Sequence, residues 1–274
     1  MKGLMEFILQ VVTGNHLQKD DAETESSGWF SGVIRFIVFC AFLLMGLGNW
    51  SDSKQLLTEA YQGFITNFTH KVEDKTIANI HIGNYLKYVE KSVGMPQVIK
   101  VSERQNDLEY RYYKKNKYLL ILIAQEQRIA AMMLHTLPTE EGAFVDRFNP
   151  SIPFTDHKLV SSSIDEAIGS SNEFFFDNHN LAYFMKSKQM SAKGMGHYLI
   201  VGTTEYQEPE LTIKGKLDEL EEASMLEEQQ DIAELTTGLS QQPSSFFGVS
   251  EVSPEIVADA LLTQYEFNAY FKGK

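Results

Sequence analysis

Cysteine is nearly absent from this chain, which has one, Cys40, among 274 residues. A single thiol cannot form an intramolecular disulfide, and it cannot supply a cysteine metal site within one chain. The sequence therefore excludes a small domain held together by disulfides, and we predict no bound metal and no cofactor. Hydrophobic residues make up 43% of the chain, so a packed core is expected.

Positive charge is also scarce, since the formal net charge at pH 7 is −13. The imbalance comes mainly from residues 205–234, which hold eleven acidic side chains and two lysines. Surfaces that bind nucleic acid are basic, so we expect no nucleic-acid partner. We predict that this acidic stretch is a solvated helix or a partly disordered tail.

Motifs of catalysis are missing as well. The chain has no glycine-rich phosphate loop, no Gly-x-Ser-x-Gly elbow and no His-Glu-x-x-His metal motif. One polar cluster, Asp177-Asn178-His179-Asn180, could share a metal or relay a proton, but these residue types are more typical of a turn between strands. We therefore predict no catalytic residue and a protein that is not an enzyme.

Long hydrophobic runs are rare, and the longest lies between Trp29 and Trp50. Its residues 32–48 carry one charge, Arg35, and with its flanks the stretch is long enough to cross a bilayer as a helix. The tryptophans would lie at the two interfaces, and Arg35 is close enough to one end to reach the head groups. The alternative is a buried helix of a soluble protein.

A helix of this kind predicts a single-pass protein of a bacterial cell (inner) membrane. The distribution of lysine and arginine favours a cytoplasmic N-terminus and an exported C-terminal domain. The lipid bilayer would then be one partner. Small residues within the helix would allow close helix contacts, so a homo-oligomer is a further hypothesis.

Composition and periodicity divide the chain into seven segments. They are a short helix and polar linker (1–28), the transmembrane helix (29–50), a stalk or first soluble helix (51–75), an α+β module (76–137), a second α+β half or sheet extension (138–206), an acidic segment and linker (207–245) and a C-terminal helix (246–274). The predicted fold class is α+β: a single N-terminal transmembrane helix followed by a helix-on-antiparallel-sheet soluble domain.

The most regular pattern lies in the α+β module. A helical stretch over 84–93 buries Val89 and is followed by the stop signals Gly94-Met95-Pro96. Strand patterns follow it at 98–102, 108–113, 117–124 and 128–137, with turns that are short enough for hairpins. Beyond the module, a short helix and a glycine again precede strand patterns over 163–206. This later stretch is either a second copy of the module or an extension of its sheet.

The module resembles a known family. The order is Ile82-Gly83, a helix carrying Val89, then Gly94-Met95-Pro96, then strands with Tyr110 and Tyr112, and it is similar to the SmpA/BamE-type domain. In that family, small helix-then-three-strand modules are envelope lipoproteins that assist assembly of larger membrane complexes. The resemblance implies the same kind of fold over residues 76–137 and an assembly role.

An aromatic and basic patch is the candidate binding site. It combines tyrosines and cations of one strand and the turn after it: Tyr110, Arg111, Tyr112, Lys114, Lys115 and Lys117. This pattern can bind a nucleotide by stacking, and it is also typical of a strand with an exposed cationic face.

Two functions are consistent with this organisation. The first is a membrane-anchored, non-enzymatic protein whose α+β domain binds a protein partner through an exposed strand or the acidic segment, as an adaptor or in assembly. The alternative is a membrane-linked sensor or effector, of stress or phage-defence type, whose soluble domain binds a small ligand at the aromatic and basic patch.

Overall fold

A computed structural model describes residues 69–138, 146–171, 173–190, 196–206 and 213–271. The strands are β1 (Val98–Val101), β2 (Leu108–Lys114), β3 (Tyr118–Gln125), β4 (Arg128–Thr136), β5 (Glu173–Asp177), β6 (Tyr183–Gln189), β7 (Tyr198–Thr204) and β8 (Phe246–Ser250). The helices of these ranges are α1 (Lys71–Ala78), α2 (Leu86–Val93), α3 (Ile164–Ile168), α4 (Ile213–Met225), α5 (Gln229–Ser240), α6 (Pro254–Asp259) and α7 (Gln264–Phe271).

All eight strands belong to one antiparallel sheet, in the order β1-β2-β3-β4-β8-β7-β6-β5. Two meanders, β1 to β4 and β5 to β8, therefore meet at the centre, where β4 pairs with β8. The second meander is interrupted by α4 and α5, which lie between β7 and β8 in the chain. The outermost strands β1 and β5 are the equivalent first strands of the two meanders.

Backbone hydrogen bonds repeat between the two meanders. At the start of α2, the amide of Leu86 donates to the carbonyl of Gln127 at 2.8 Å. At the start of α3, the amide of Ile164 donates to the carbonyl of Gln242 at 3.2 Å. In each half, the first residue of the helix is thus bonded to the segment just before the last strand, which holds the helix against the sheet.

The two helices also end alike. Gly94 follows α2 with φ +91°, and Gly169 follows α3 with φ +68°, a region that favours glycine because it has no Cβ. In both cases the next strand begins four residues after the glycine. Residues 163–250 therefore repeat the helix-then-meander order of residues 85–136 within a single shared sheet.

Helices cover both faces of this sheet. On the α2 face, the strands pack against apolar side chains of four helices: Val89, Ile164, Leu217 and Leu239. On the opposite face, called the α7 face here, they pack against Val257 of α6 and Phe267 of α7. Strand β3 is buried along nearly its whole length, because alternate residues enter the two cores.

The predicted fold class is wrong in the extent of the sheet. A small helix-on-sheet module would leave one sheet face and the outer edge of β4 bare. Here β8 pairs with β4, and the C-terminal helices cover the second face. The uninterrupted apolar runs of β3 and β4 are the physical reason, since strands without alternation must be buried on both faces.

The membrane predictions also need correction. Within the described ranges, no helix is long and apolar enough to cross a bilayer; the longest, α4, has 13 residues and exposes acidic side chains. The predicted transmembrane helix, with Trp29, Arg35 and Trp50, lies outside the described residues. The single-pass and inner-membrane predictions are therefore contradicted by the described structure, in which the long apolar runs are strands of the sheet core.

Candidate functional site

Strand β1 forms one edge of the sheet. The amide of Ser102, just beyond the strand, donates to the carbonyl of Leu108 at 3.0 Å, in the same register that pairs Val98 with Tyr112. Residues that bond to β2 alternate with residues that do not. The backbone N–H and C=O groups of Ile99 and Val101 consequently point away from β2, toward the open edge.

The side chains of the same two residues are also exposed. Ile99 is 51% exposed and Val101 is 59% exposed, on the α2 face of the strand. Val98 and Lys100 project to the α7 face, where Lys100 pairs with Glu266. Proteins usually protect an edge strand with charges, proline or a covering segment. An edge whose outward backbone groups have no strand partner among the described residues, and whose β-branched side chains are exposed, is suited to pairing with another strand.

The side chain of Gln97, just before β1, forms two hydrogen bonds with the backbone of β2, as the backbone of a paired strand would. Gln97 accepts a hydrogen bond from the Lys114 amide at 2.8 Å and donates one to the Lys114 carbonyl at 2.9 Å. The amide of Gln97 also donates to the carbonyl of Tyr112 at 2.9 Å, beside the Val98–Tyr112 pair. These bonds attach the start of β1 to β2 in addition to the ladder between the two strands.

A cleft of about 460 Å³ lies beside this edge. It is lined by β1 and the turn after it, by the β5–β6 turn region, and by the helices of the α7 face. The two outer edges of the sheet therefore approach each other across α6 and α7. The cleft has the size of a small-ligand site, and it is continuous with the open edge because Lys100 and Val101 line it.

The N-terminus of α7 connects the two sides of the cleft. Glu266 accepts from Lys100 Nζ at 2.6 Å on the β1 side. The amide of Gln264 donates to the carbonyl of Asn180 at 3.0 Å on the β5–β6 side. Both walls are thus bonded to the same short helix, which keeps the width of the cleft defined.

Tyr110 lines the cleft, and hydrogen bonds fix the position of its hydroxyl. Its hydroxyl lies 2.8 Å from a carboxylate oxygen of Asp259, to which it donates, and 2.7 Å from Ser102 Oγ. Burial is the main cause that raises the pKa of Tyr110 to about 12, and Asp259 adds to it. The phenol therefore stays protonated at neutral pH and acts as a structural bridge between β2 and α6.

Negative charge predominates in the cleft. The two cations already have carboxylate partners, since Lys100 pairs with Glu266 at 2.6 Å and Arg104 with Asp259 at 3.4 Å. Glu103 and Asp177 also line the cleft, and neither forms an ion pair with a cation among the described residues. A cleft with two unneutralised carboxylates favours a cationic group.

Asp177 on β5 lies opposite the aromatic ring of Tyr183 on the neighbouring strand β6. It is the register partner of Tyr183, and both residues line the cleft. Burial first, and then the nearby Asp177 carboxylate, raise the pKa of Tyr183 to about 12. A carboxylate beside a phenol ring can receive an ammonium or guanidinium group from two directions.

The residues of the predicted aromatic and basic patch lie on different faces of the structure. Tyr110 and Tyr112 are buried on the α7 face, and the Tyr112 hydroxyl donates to the carbonyl of Ala260 at 2.9 Å. Arg111 projects to the α2 face and pairs with Glu90 at 3.0 Å. Stacking a ligand would require exposed rings, and these rings lie inside the core.

The lysines of the predicted patch are also separated. Lys114 is partly exposed at the end of β2, and Lys115 is exposed in the turn that follows. Lys117 binds Glu73 of α1 at 3.0 Å. The six predicted residues therefore do not share one surface, and their role in binding stays a prediction.

The cluster after β5 forms the expected turn. Asp177 Oδ1 accepts from the amide of His179 at 3.0 Å, which is an aspartate turn closed by its own side chain. Asn178 is buried and donates to both Asp218 at 2.8 Å and Glu221 at 2.7 Å. Among the described residues, no group of histidines, cysteines and carboxylates is arranged to hold a metal ion.

The described part of the acidic segment forms α4 and α5, which enclose a groove of about 440 Å³. Five carboxylates and three apolar side chains line this groove: Glu219, Glu222, Glu228, Asp231, Glu234, Ala223, Leu226 and Leu235. Within the predicted segment, residues 213–225 and 229–240 are therefore ordered helices, with Leu217 and Leu220 buried against the sheet.

Sequence reasoning proposed an exposed strand as a binding site but did not identify β1 as that strand, and it missed the cleft. The alternation of Val98 to Ser102 was visible, but it does not show that Ile99 and Val101 are exposed. No local signal shows that this strand is outermost, or that Asp259 and Glu266 come to lie beside it from more than 150 positions away. Only the order of strands in the sheet brings these groups together.

Comparison with known proteins identifies no family. No family model matches the chain, and neither does any curated protein. A crystal structure of a cysteine-rich secretory protein from Staphylococcus aureus subsp. aureus Mu50 is similar at a TM-score of 0.31 and 7% identity, over 66% of this chain. This chain spans about half of that structure (47%), and a likeness at this level carries no argument about fold or function. The resemblance to the SmpA/BamE type stays a prediction.

Proposed function

We propose that this chain is a non-enzymatic binding protein whose α+β domain takes up an extended segment of a protein partner by strand addition at β1. The observation that carries the proposal is the open edge of β1, where Ile99 and Val101 combine outward backbone groups with side chains 51% and 59% exposed. An adaptor or assembly role of this kind is also what the SmpA/BamE resemblance implies.

Strand addition would use two kinds of contact. The outward N–H and C=O groups of Ile99 and Val101 would form main-chain hydrogen bonds, which give affinity for any extended segment. Side chains of the added strand would alternate between the two faces of the sheet, and those beside Ile99 and Val101 would bury apolar surface. Because β1 is already ordered by Gln97 and β2, little entropy would be lost on the protein side.

The test uses a labelled peptide that alternates valine and threonine, titrated against the full chain. Val101→Pro removes an outward N–H without removing a bond to β2, so it should weaken binding about tenfold or more. Val101→Thr keeps the backbone donor and serves as the matched control, with affinity near that of the native chain.

Amide exchange gives an independent readout of the same proposal. The amides of Ile99 and Val101 should exchange quickly in the free chain and slowly when the peptide is bound. The amide of Lys100, which faces β2, should be slow in both states. Equal exchange of the Ile99 and Val101 amides with and without a bound peptide would rule out strand addition at β1.

The alternative is binding of a small ligand in the cleft. Its volume of about 460 Å³ and its convergent polar groups favour this second function. A panel of nucleotides and amino acids, screened by thermal shift, would test it. A shift that is lost in Tyr183→Ala and retained in Ile99→Pro, at a position that does not line the cleft, would favour the small-ligand function. Peptide binding that is lost in Ile99→Pro and retained in Tyr183→Ala would favour the protein-binding function.

A further inference from the structure

A strand added to β1 would present half of its side chains to the cleft. Residues opposite Ile99 and Val101 would lie on the α2 face, beside the two exposed apolar side chains. Residues opposite Lys100 and Ser102 would lie on the α7 face, which leads into the cleft. The chemistry of the cleft therefore selects which segments can bind, while the backbone of β1 accepts any of them.

The position opposite Lys100 differs from the one opposite Ser102. Lys100 is a cation, so a second cation directly across from it would be repelled. Ser102 is buried and uncharged, and the residues that follow it, Glu103 and Arg104, line the cleft with Asp177 on the opposite wall. A long side chain that enters the cleft opposite Ser102 would therefore meet a lining in which four carboxylates outnumber two cations.

We propose that the segment bound by β1 carries a basic residue opposite Ser102, apolar residues opposite Ile99 and Val101, and a neutral residue opposite Lys100. The inference rests on the proposed function and specifies its partner. The ammonium or guanidinium group would be received by Asp177 and Glu103, the two cleft carboxylates outside the described ion pairs, with the ring of Tyr183 alongside. Charge complementarity of this kind sets specificity and register more than total affinity.

The experiment compares three peptides on the full chain. The basic probe is Thr-Thr-Lys-Val-Thr-Val-Thr-Thr, and it is made in both chain directions because strand addition can be antiparallel or parallel. The neutral and acidic probes have Thr or Glu in place of its Lys. We expect the basic probe, in one direction, to bind about fivefold more tightly than the neutral probe, and the acidic probe to bind more weakly than both.

Asp177→Asn is the informative variant. An asparagine side chain can still accept from the His179 amide and keep the turn, so the fold is retained while the charge is lost. In this variant the basic and neutral probes should bind equally. Asp156→Asn, which removes an exposed aspartate that does not line the cleft, should leave the fivefold difference unchanged. High salt should reduce the difference in the native chain as well.

The outcomes distinguish the proposed strand addition at β1 from the further inference of a basic residue opposite Ser102. Equal binding of basic and neutral probes to the native chain, with binding still lost in Val101→Pro, would overturn the basic-residue inference and leave strand addition standing. Binding of no probe, together with unchanged exchange of the Ile99 and Val101 amides, would overturn both. A dimer in sedimentation that Val101→Pro dissociates would overturn the inference too, because a second copy of β1 would then occupy the edge.

Discussion

Replacing His135 by leucine should remove a large part of the acid sensitivity of this fold. His135 lies on the α7 face of β4 and is 1% exposed. Its ring stacks on Phe246 at 4.6 Å between centroids and meets the edge of Tyr206 at 5.2 Å. Neither ring nitrogen has a hydrogen-bond partner among the described residues, so nothing there stabilises a protonated imidazole.

The magnitude follows from the difference in pKa between the folded and unfolded chain. Burial lowers the pKa of His135 from 6.5 to about 3. The unfolded chain binds this proton below pH 6.5, and the folded chain does so only near pH 3, so stability falls as the pH falls through this window. The free energy of unfolding should decrease by about 2 kcal/mol from this residue alone between about pH 7.5 and about pH 5.

Urea unfolding followed by circular dichroism at several pH values would measure this effect. At neutral pH the leucine variant should be about as stable as the native chain, or more so, since leucine removes two unpaired buried nitrogens but also an aromatic contact. Toward pH 5 its advantage should grow by about 2 kcal/mol. His81→Leu, at an exposed histidine, is the control and should keep the native acid sensitivity. A native and a His135→Leu chain that lose stability in parallel would refute the reasoning.

Three further changes test the local structure, each by denaturant unfolding. Gly202→Ala should cost at least about 2 kcal/mol, because the new Cβ would lie 2.5 Å from the carbonyl oxygen of Phe184; a smaller loss would mean that β6 and β7 can separate. Gln127→Gly should raise the free energy of unfolding by about 0.5–1 kcal/mol, because glycine adopts the φ of +88° in the turn between β3 and β4 without strain. Any loss of stability would contradict this reasoning. Ser163→Ala should cost about 1 kcal/mol by removing the cap on the Glu166 amide, and Ser163→Asp should restore most of it.

Local patterns in the sequence predicted many elements well. The helix before Gly94, the four strand patterns that follow it and the short helix near the start of 163–206 are all confirmed. The Asp177 turn is confirmed by its closing hydrogen bond. Each depends on residues within a few positions of one another, where side-chain periodicity and capping chemistry act directly on the backbone.

Predictions about the surface were less successful because they assumed that one sheet face was free. Tyr110 and Tyr112 alternate with charged residues, and the sequence reading placed them in a solvent-facing patch. The structure buries both rings under α6 and α7. A period of two shows which residues share a face, but it does not show what covers that face. The helices that do so come from the opposite end of the chain.

The sequence by itself determined the local elements: where helices stop at Gly94 and Gly169, and which residues of β1 share a face. Tertiary structure alone decided that β8 inserts beside β4, that β1 becomes an open edge, and that Asp177 and Asp259 line the same cleft. The physical reason is the distance along the chain over which each interaction acts. Caps, turns and periodicity act over a few residues, whereas the order of strands depends on which distant surfaces exclude water from one another, and no short stretch of sequence contains that information.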